Sequence, residues 1–270
     1  MSKLIKGIKS LFIYFLIIII ALFFIFPIFW TFILSIRPGS EFGLSFIPYV
    51  QFKPNFRGLI SGMINARTLL SLKDSLIVCI PSATIATLIG SLAGYSLARH
   101  KFKRIDNVTI VTGFILFRLI PPVVLSIPFF ILVILTKLYD TPEALILAYS
   151  TLFMPYVVII TRDAFKSLPS GIEESAMIDG ASTIRMMVDI TLPLVTPALF
   201  AAFLLTFTFS WNEFLLAFVL TEQKVITISI RLYEGFNPAQ VLMSVLPPII
   251  ICLLLQKYLV SGLTMGSVKG

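Results

Sequence analysis

Histidine and cysteine are almost absent from this sequence. Its 270 residues contain one histidine, His100, and two cysteines, Cys79 and Cys252. Zinc sites and disulfide frameworks both need clusters of such residues, so neither is expected here. The two cysteines fall inside apolar segments, where a free cysteine acts as a small packing residue. The single histidine has no nucleophile or metal ligand beside it, which argues against an enzyme embedded in the membrane.

Charged residues are also scarce. Asp, Glu, Lys and Arg together make up 13% of the chain, whereas 58% of the residues are hydrophobic and the mean hydropathy is +1.01. A soluble domain needs more polar surface than this, so the composition places the chain in a lipid bilayer. Six segments are long enough to cross a hydrocarbon core of ~30 Å as helices. The apolar stretches themselves are residues 10–36, 75–98, 108–136 with Arg118 inside, 144–161, 190–212 and 235–256. The last two transmembrane spans are placed at about 190–219 and 238–260.

These segments are predicted to be helices, because a lone strand in lipid leaves its backbone groups unpaired. Apolar side chains occupy all faces of each segment, as is typical of helices that contact lipid. The first apolar run is too long for the core of a signal peptide, and no small-x-small cleavage site follows Ile36, so it is interpreted as a retained span. The prediction is an all-α polytopic membrane protein, a single domain over residues 1–270 with six transmembrane helices.

Basic residues indicate which side of the membrane each connection faces, because Lys and Arg are held on the cytoplasmic side. Twelve of them lie at the two termini and in the second and fourth connections, against eight on the opposite side. Both termini and the fourth connection, about residues 162–193, are therefore predicted to be cytoplasmic. This bias explains the net charge of +8 better than nucleic-acid binding, which needs a basic face on a soluble domain.

The fourth connection has the sequence features of two short helices joined at a glycine. Ser170 and Glu173 fit the S-x-x-E capping box, in which each side chain accepts a hydrogen bond from a backbone amide of the first turn. Gly180 stands where a left-handed residue ends a helix. Ser182 can then cap a second helix, Thr183 to Thr191. The connection is predicted to form an elbow, and Leu192-Pro193 is expected to end it.

The first helix of this elbow carries a face of small residues. Ile172, Ser175, Ala176 and Asp179 share that face by their i, i+3, i+4, i+7 spacing. Small side chains let another backbone or a groove approach closely, so the face is expected to point outward from the cytoplasmic surface. An interfacial connector that only orients two spans explains the same pattern without a partner.

The spacing across the elbow resembles the E-A-A-x3-G-x9-I-x-L-P signature of the permease subunits of ABC importers. The residues at its positions are Glu174, Ser175, Ala176, Gly180, Ile190, Leu192 and Pro193, and Asp179, Gly180 and Ala181 resemble its D-G-A extension. Ser175 stands where the family has a second alanine, which exchanges one small residue for another. The match is specific, because six positions agree over twenty residues in the expected connection.

Further motifs resemble the sugar-importer branch of that family, and in particular the second, six-span membrane subunit of maltose-type transporters. The stretches are GLTMGSVKG at 262–270, WNEF at 211–214, LIPP at 119–122 and GYSLAR at 94–99, the last with Gly94 and Ser96 in place of alanine. The resemblance covers nearly the whole chain except the first extracellular connection, about residues 38–73. It implies the type I ABC importer permease fold.

The resemblance also implies that the elbow is a coupling helix, which docks in a groove of a separate ATP-binding subunit. Glu174 is then expected to make the polar contact, Ser175 and Ala176 the close fit, and Gly180 the corner. The other residues assigned to the coupling surface are Asp179, Ala181, Leu192 and Pro193. The chain lacks a G-x-x-x-x-G-K-[ST] motif, so we expect it to be no enzyme and to hold no cofactor, with ATP and magnesium bound by the partner.

The same resemblance implies the partners and the place of the chain. They are a second permease subunit forming a heterodimer, a dimer of ATP-binding subunits and an extracellular sugar-binding protein, in the plasma or inner membrane and without nucleic acid. Lys269 and Gly270 resemble a tail that reaches into the ATPase interface, and a frayed terminus fits them equally well. The expected solute is a di- or oligosaccharide such as trehalose or maltose, with glycerol phosphate or a peptide as alternatives.

Arg118 is a charge inside a predicted span. Ten residues into the span it lies ~15 Å along the helix, near mid-bilayer, where a cation costs at least ~2.5 kcal/mol and normally faces a cavity. Pro121 and Pro122 remove two backbone donors beside it, and such breaks belong where a helix lines water or protein. These residues are predicted to line a translocation pathway, and a snorkelling arginine paired with another subunit is the alternative. Asn212 and Glu213 are expected either at an outer gate or at the membrane boundary.

An ion-coupled secondary transporter is the alternative from a different functional class. That mechanism needs carboxylates within the membrane and often an internal repeat. Glu213 is the candidate carboxylate, and the sequence shows no clear repeat. The sequence therefore favours the importer permease.

Overall fold

The computed structural model describes residues 2–38, 47–235 and 237–265, with side chains described at 10–38, 47–169, 171–235 and 237–258. Within these ranges the chain is helical and contains no strand beyond an isolated bridge between Pro48 and Phe52. The helices are α1 (Ser2–Ile36), α2 (Phe56–Met63), α3 (Ala66–Arg99), α4 (Asn107–Phe117), α5 (Pro122–Leu135), α6 (Pro142–Ser167), α7 (Ser170–Ile178), α8 (Thr183–Met186), α9 (Leu192–Leu194), α10 (Thr196–Asn212), α11 (Leu215–Leu220), α12 (Ile228–Glu234) and α13 (Pro238–Met265), with a π-helical turn at Met187–Thr191.

Four of the described helices are long and apolar enough to cross a membrane alone. They are Ser10–Ile36, Ala66–Arg99, Pro142–Ser167 and Pro238–Tyr258. Two further spans are bent pairs, Asn107–Phe117 with Pro122–Leu135 at 92° and Thr183–Leu194 with Thr196–Asn212 at 76°. Counting each pair as one span gives the six transmembrane segments expected from the sequence. The fifth ends at Asn212 rather than at the predicted 219, because Glu213 is extended and ends α10.

The chain divides into two compact units, Met1–Leu69 with Glu234–Leu246, and Leu70–Tyr233 with Pro247–Gly270. In the first unit, the side chains of residues 10–29 are exposed on every face of α1. Only the end of that helix is buried, where Ile33 and Ile36 pack against Phe52. A helix that is apolar on all faces and unburied within its own chain needs lipid or another protein around it.

In the second unit, α3 and α6 pack closely through small residues. A Cβ atom built on Gly90 would lie 2.8 Å from the Val157 side chain, and one built on Gly94 would collide with the Thr161 hydroxyl and lie 2.9 Å from the Arg162 backbone nitrogen. Membrane helices associate through such small residues, because lipid leaves no hydrophobic force between them. The two glycines therefore set the distance between the second and fourth spans.

The core of this unit lies between α5, α6 and α11. Buried members include Val133, Leu145, Tyr149, Leu216 and Leu220. Of the two cysteines, Cys79 is buried and Cys252 is exposed on α13. The expected packing role is thus confirmed for Cys79 and wrong for Cys252 within this chain.

A carboxylate closes the end of this core that lies away from the elbow. Asp140, in the turn before α6, accepts hydrogen bonds from the backbone nitrogens of Glu222 (2.9 Å), Gln223 (3.1 Å), Lys224 (3.0 Å) and Val225 (3.3 Å). Burial alone would raise the pKa of Asp140, but these amides outweigh it and hold the pKa below its usual value. The turn before α6 and the loop after α11 are thereby joined.

Candidate functional site

The elbow forms as the sequence predicted at its glycine. α7 ends at Ile178, and Gly180 adopts a left-handed φ of +80°. The Gly180 nitrogen donates to the Met177 carbonyl at 3.1 Å, and the Ala181 nitrogen donates to the Ala176 carbonyl at 3.0 Å. These two bonds make a Schellman C-cap, whose left-handed residue only glycine adopts without strain. The corner between the two helices is therefore fixed by the backbone.

The second half of the elbow begins as expected and continues further. Ser182 caps α8, since its hydroxyl accepts from the Arg185 nitrogen at 3.3 Å. The helix then widens into the π-helical turn and runs through Pro193 to Leu194, so the expected end at Leu192-Pro193 was wrong. A proline has no N–H and crowds the carbonyl four residues before it, and the π turn accommodates both effects. The chain bends instead at Val195, before α10.

An ion pair anchors the elbow to the end of the second span. The Arg99 Nε atom lies 2.8 Å from a carboxylate oxygen of Glu173, and an Nη of Arg99 donates to the Leu168 carbonyl at 3.3 Å. Both side chains are largely buried, with exposed fractions of 16% and 8%. α7 begins at Ser170 with Pro169 at its N-cap, and the Glu173 carboxylate binds Arg99; the Ser170 side chain of the predicted capping box lies outside the described side chains. One guanidinium thus holds the α6–α7 link and α7 together.

The inner side of the elbow packs on the spans. Ala176 is buried in a cluster with Tyr95, Phe165, Met186 and Val195, and the rings of Tyr95 and Phe165 meet edge to face at 5.2 Å. The expectation that Ala176 faces outward was therefore wrong, because its side chain fills the contact between α7 and the spans beneath. Three other residues of the coupling signature, Ala181, Ile190 and Leu192, are half-buried against the same cluster.

The outer side of the elbow is exposed and partly apolar. Glu174, Ser175, Asp179 and Pro193 of the signature are exposed. Beside them four large apolar side chains are also exposed: Met177, Ile178, Ile184 and Val188. Ile178 is the most exposed of the four, at 86%. This outer surface, defined by Glu174, Met177, Ile178, Ile184 and Val188, combines a carboxylate with apolar groups that water solvates poorly.

Arg118 lies in the break between the two helices of the third span. α4 ends at Phe117 and Pro121 is the N-cap of α5, with Pro122 as its first residue, where a missing N–H costs nothing. Arg118 is exposed, and its guanidinium carbon lies 3.9 Å from the ring centre of Tyr156 on α6. The Tyr156 ring in turn meets Phe209 of α10 at 4.9 Å. Among the described residues no carboxylate lies within ion-pair distance of Arg118.

The remaining candidate residues serve helix ends or lie outside the described residues. The Asn212 side chain donates to the Thr208 carbonyl at 2.7 Å. The Glu213 carboxylate accepts from the backbone nitrogens of Leu216 and Ala217 at 3.0 and 3.3 Å, which caps α11. Lys269 and Gly270 lie outside the described residues.

Sequence reasoning missed Arg99 and Tyr95 as parts of the elbow. Both belong to the GYSLAR stretch at the end of α3. Arg99 precedes Glu173 by 74 residues in the sequence. A basic residue at the last turn of one span and a glutamate in the next connection on the same side were the available signal. Spacing within the elbow could not reveal this pair.

Residues 86–264 match the family model described as binding-protein-dependent transport system inner membrane component. The chain is 32% identical over 270 residues to the trehalose/maltose transport system permease protein MalG of Thermococcus litoralis, covering 94% of both chains. It is 30% identical over 259 residues to the trehalose transport system permease protein SugB of Mycobacterium tuberculosis, covering 90% of this chain and 92% of the relative.

Two further proteins are similar to this chain. The sulfoquinovosyl glycerol transport system permease protein SmoH of Agrobacterium fabrum is 29% identical over 256 residues, covering 91% of this chain and 89% of the relative. A chain from the crystal structure of a bacterial ABC transporter that imports the acidic polysaccharide alginate superposes with a TM-score of 0.72 at 22% identity, covering 94% of this chain and 97% of that chain. At this identity the structural likeness concerns the fold.

Proposed function

Because the chain belongs to the family of binding-protein-dependent transport system inner membrane components, we propose that it forms one half of the translocation pathway of an ATP-driven sugar importer. It is a multi-pass membrane transport subunit with the type I ABC importer permease fold. The observation that carries the proposal is the elbow, whose inner side is anchored to two spans and whose outer surface is exposed. Such an element passes a force from a soluble partner to the membrane helices.

The elbow couples to the spans through two rigid contacts. Arg99 ties α7 to the end of α3, and Ala176 fills the contact beneath α7. A partner that grips the outer surface can therefore pull or push the second span through Arg99, and the fifth span through the continuous path from α8 to α10. Packed elements of this kind move as bodies, because close packing does not deform continuously.

The partner proposed for the outer surface is an ATP-binding subunit, present as a dimer that holds ATP and magnesium. Glu174, Ser175 and Asp179 supply polar contacts, and Ile178 and Ile184 supply apolar ones, as interfaces with a polar rim and an apolar centre require. The elbow and both termini then face the cytoplasm, consistent with the excess of basic residues on that side. An extracellular sugar-binding protein delivers the solute from the other side.

A second, different permease subunit completes the pathway. The apolar surface of α1 and the exposed Arg118 at the break of the third span both need surroundings that this chain does not provide. We place Arg118, Pro121, Pro122 and Tyr156 on the pathway wall, since an irregular backbone at membrane depth belongs beside water or protein. The Glu213 carboxylate caps α11. It is therefore not free to bind a coupling ion, which is the role that an ion-coupled transporter would need it to play.

The proposed solute is a di- or oligosaccharide, with trehalose and maltose as first choices because two similar relatives are named for them. The test is uptake of radiolabelled trehalose and maltose by proteoliposomes that contain this chain with the second permease, the ATP-binding subunit and the binding protein encoded beside it. The proposal is supported if uptake of the labelled sugar requires ATP and is not reduced by an excess of unlabelled glycerol phosphate or peptide. Uptake of glycerol phosphate or a peptide instead, or uptake driven by an ion gradient without ATP, refutes it.

A further inference from the structure

A cavity of about 410 Å³ opens at the elbow end of the second unit, beside the anchored ion pair. It is lined by the end of α3, the start of α4 and Lys166 near the end of α6. Because α3 ends at Arg99 and α4 begins at Asn107, the cavity lies where two membrane spans meet water. That is the level of lipid headgroups.

The cavity wall is predominantly basic. Arg99, Lys101 and Lys166 line it together with His100, and Asp106 is the acidic residue among the lining side chains. The Asp106 carboxylate accepts a hydrogen bond from the Thr109 hydroxyl and keeps its negative charge. The Arg99 guanidinium is paired with Glu173, so the excess of positive charge comes from the two lysines. Lys101 and Lys166 are exposed and form no ion pair among the described residues. The cavity thus presents an excess of positive charge to an incoming group.

The loop that carries these charges is held in place. The Asn107 side chain donates to the carbonyls of Leu97 at 2.9 Å and His100 at 2.6 Å, and it accepts from the Phe102 nitrogen at 3.2 Å. One side chain therefore fixes the path from the end of α3 to the start of α4. A fixed loop loses little conformational entropy when a ligand binds, which favours affinity.

Apolar side chains stand exposed between the basic ones. Phe102, Ile105 and Val108 are 46%, 54% and 68% exposed. Apolar groups beside lysines and arginines at the end of a span insert into the boundary between headgroups and acyl chains. We propose that this cavity binds the phosphate of an anionic phospholipid headgroup, with the acyl chains lying along these apolar residues.

The site is independent of the sugar-import function, since it concerns this chain and the bilayer alone. Its ligand lies beside Arg99, the same guanidinium that holds Glu173. Zwitterionic phospholipids have a cationic group beside their phosphate, which the lysines repel. The site therefore selects lipids with net negative charge.

Native mass spectrometry of the full chain in detergent tests this site. Phosphatidylglycerol and phosphatidylcholine with the same acyl chains are titrated onto the wild type and onto the double variant Lys101→Gln/Lys166→Gln. Removing two basic residues is expected to weaken phosphatidylglycerol binding about thirtyfold, at roughly fivefold for each lysine near a charged lipid. Phosphatidylcholine binding is expected to be weak and unchanged.

Lys103→Gln is the matched control, because Lys103 belongs to the same loop but does not line the cavity. At physiological salt its loss is expected to change phosphatidylglycerol binding by at most about twofold. Equal losses in Lys103→Gln and the double variant, equal binding of the two lipids, or displacement of the lipid by an equal concentration of inorganic phosphate would each overturn the proposal. Circular dichroism verifies that the variants are folded.

Discussion

The guanidinium of Arg99, the last residue of α3, lies 2.8 Å from the carboxylate of Glu173 in the first turn of α7. This pair joins the second span to the connection that follows the fourth. Because the same guanidinium donates to the Leu168 carbonyl, it also fixes the link between α6 and α7. The start of the elbow is therefore attached to the spans by side-chain contacts as well as by the covalent backbone.

Arg99→Gln is expected to loosen α7. Removing the arginine leaves Glu173 largely buried without its charge partner, which costs about 2 kcal/mol for a pair with some solvent access. Amide hydrogen exchange of residues 171–178 should then accelerate about thirtyfold. Arg185→Gln is the control, because the Arg185–Asp189 pair is exposed on both sides, and its loss should change exchange by less than about threefold. Similar exchange in the two variants would show that the buried pair does not hold the elbow.

Gly180→Ala is expected to strain the corner of the elbow. No atom lies within 4 Å of a Cβ built there, so the whole cost of about 1–2 kcal/mol comes from the left-handed backbone. Trypsin cleavage at the exposed Arg185 should accelerate about five- to thirtyfold, since it follows local opening. Gly171→Ala also adds a methyl group into open space, but within α7, where alanine favours the helix. Cleavage of that variant should slow or stay unchanged, and a rise equal to that of Gly180→Ala would contradict the assignment.

Gly94→Ala is expected to disturb the contact between the second and fourth spans. The new methyl group would collide with the Thr161 hydroxyl and lie 2.9 Å from the Arg162 backbone nitrogen, and such overpacking costs about 1–3 kcal/mol. The midpoint of thermal unfolding in detergent should fall by roughly 5 °C. Gly113→Ala, which meets nothing within 4 Å, should leave the midpoint unchanged or raise it slightly. If both variants melt like the wild type, the two spans do not rely on this close approach.

Asp140→Asn is expected to weaken the joint between the turn before α6 and the loop after α11. An asparagine keeps one acceptor but turns an NH2 group towards backbone donors, and hydrogen bonds to a charged group contribute about 1.5–3 kcal/mol. Because the pKa of Asp140 is held below its usual value, its stabilisation is complete above that usual value of 3.8 and is lost as the pH falls through the lower, folded-state pKa. The melting difference between wild type and variant should be constant from about pH 5 to 8 and shrink in acid. A difference that grows as the pH falls would contradict this sign.

The six spans and the corner at Gly180 were predictable, because each rests on local information. A charge-free run of sufficient length specifies a membrane helix, and a glycine after a short polar helix specifies a C-cap. The break at Pro121 and Pro122 is local in the same sense, since a proline cannot donate to the preceding turn. None of these features needs a distant part of the chain.

The orientation of Ala176 and the pairing of Glu173 were not predictable from spacing. In a helix of nine residues several faces carry small or apolar groups, and the buried face is decided by what packs beneath it. Here Tyr95 and Phe165 of other helices decide it. The Arg99–Glu173 pair spans 74 residues, and only the fold brings the two together. The capping role of Glu213 was missed because α11 is a short helix inside an apolar run.

Co-purification of the ATP-binding subunit with this chain tests the central claim, that the outer surface of the elbow is its docking site. The tagged chain is expressed with its partner subunits as wild type, as Ile178→Glu, as Gly180→Pro and as Asp163→Lys. The last variant reverses the charge of an exposed side chain of α6, before the start of α7. The account predicts that wild type and Asp163→Lys retain the ATP-binding subunit, while Ile178→Glu and Gly180→Pro release it with their spans still folded. Retention by all four chains, with ATP hydrolysis still stimulated by sugar, would contradict the account.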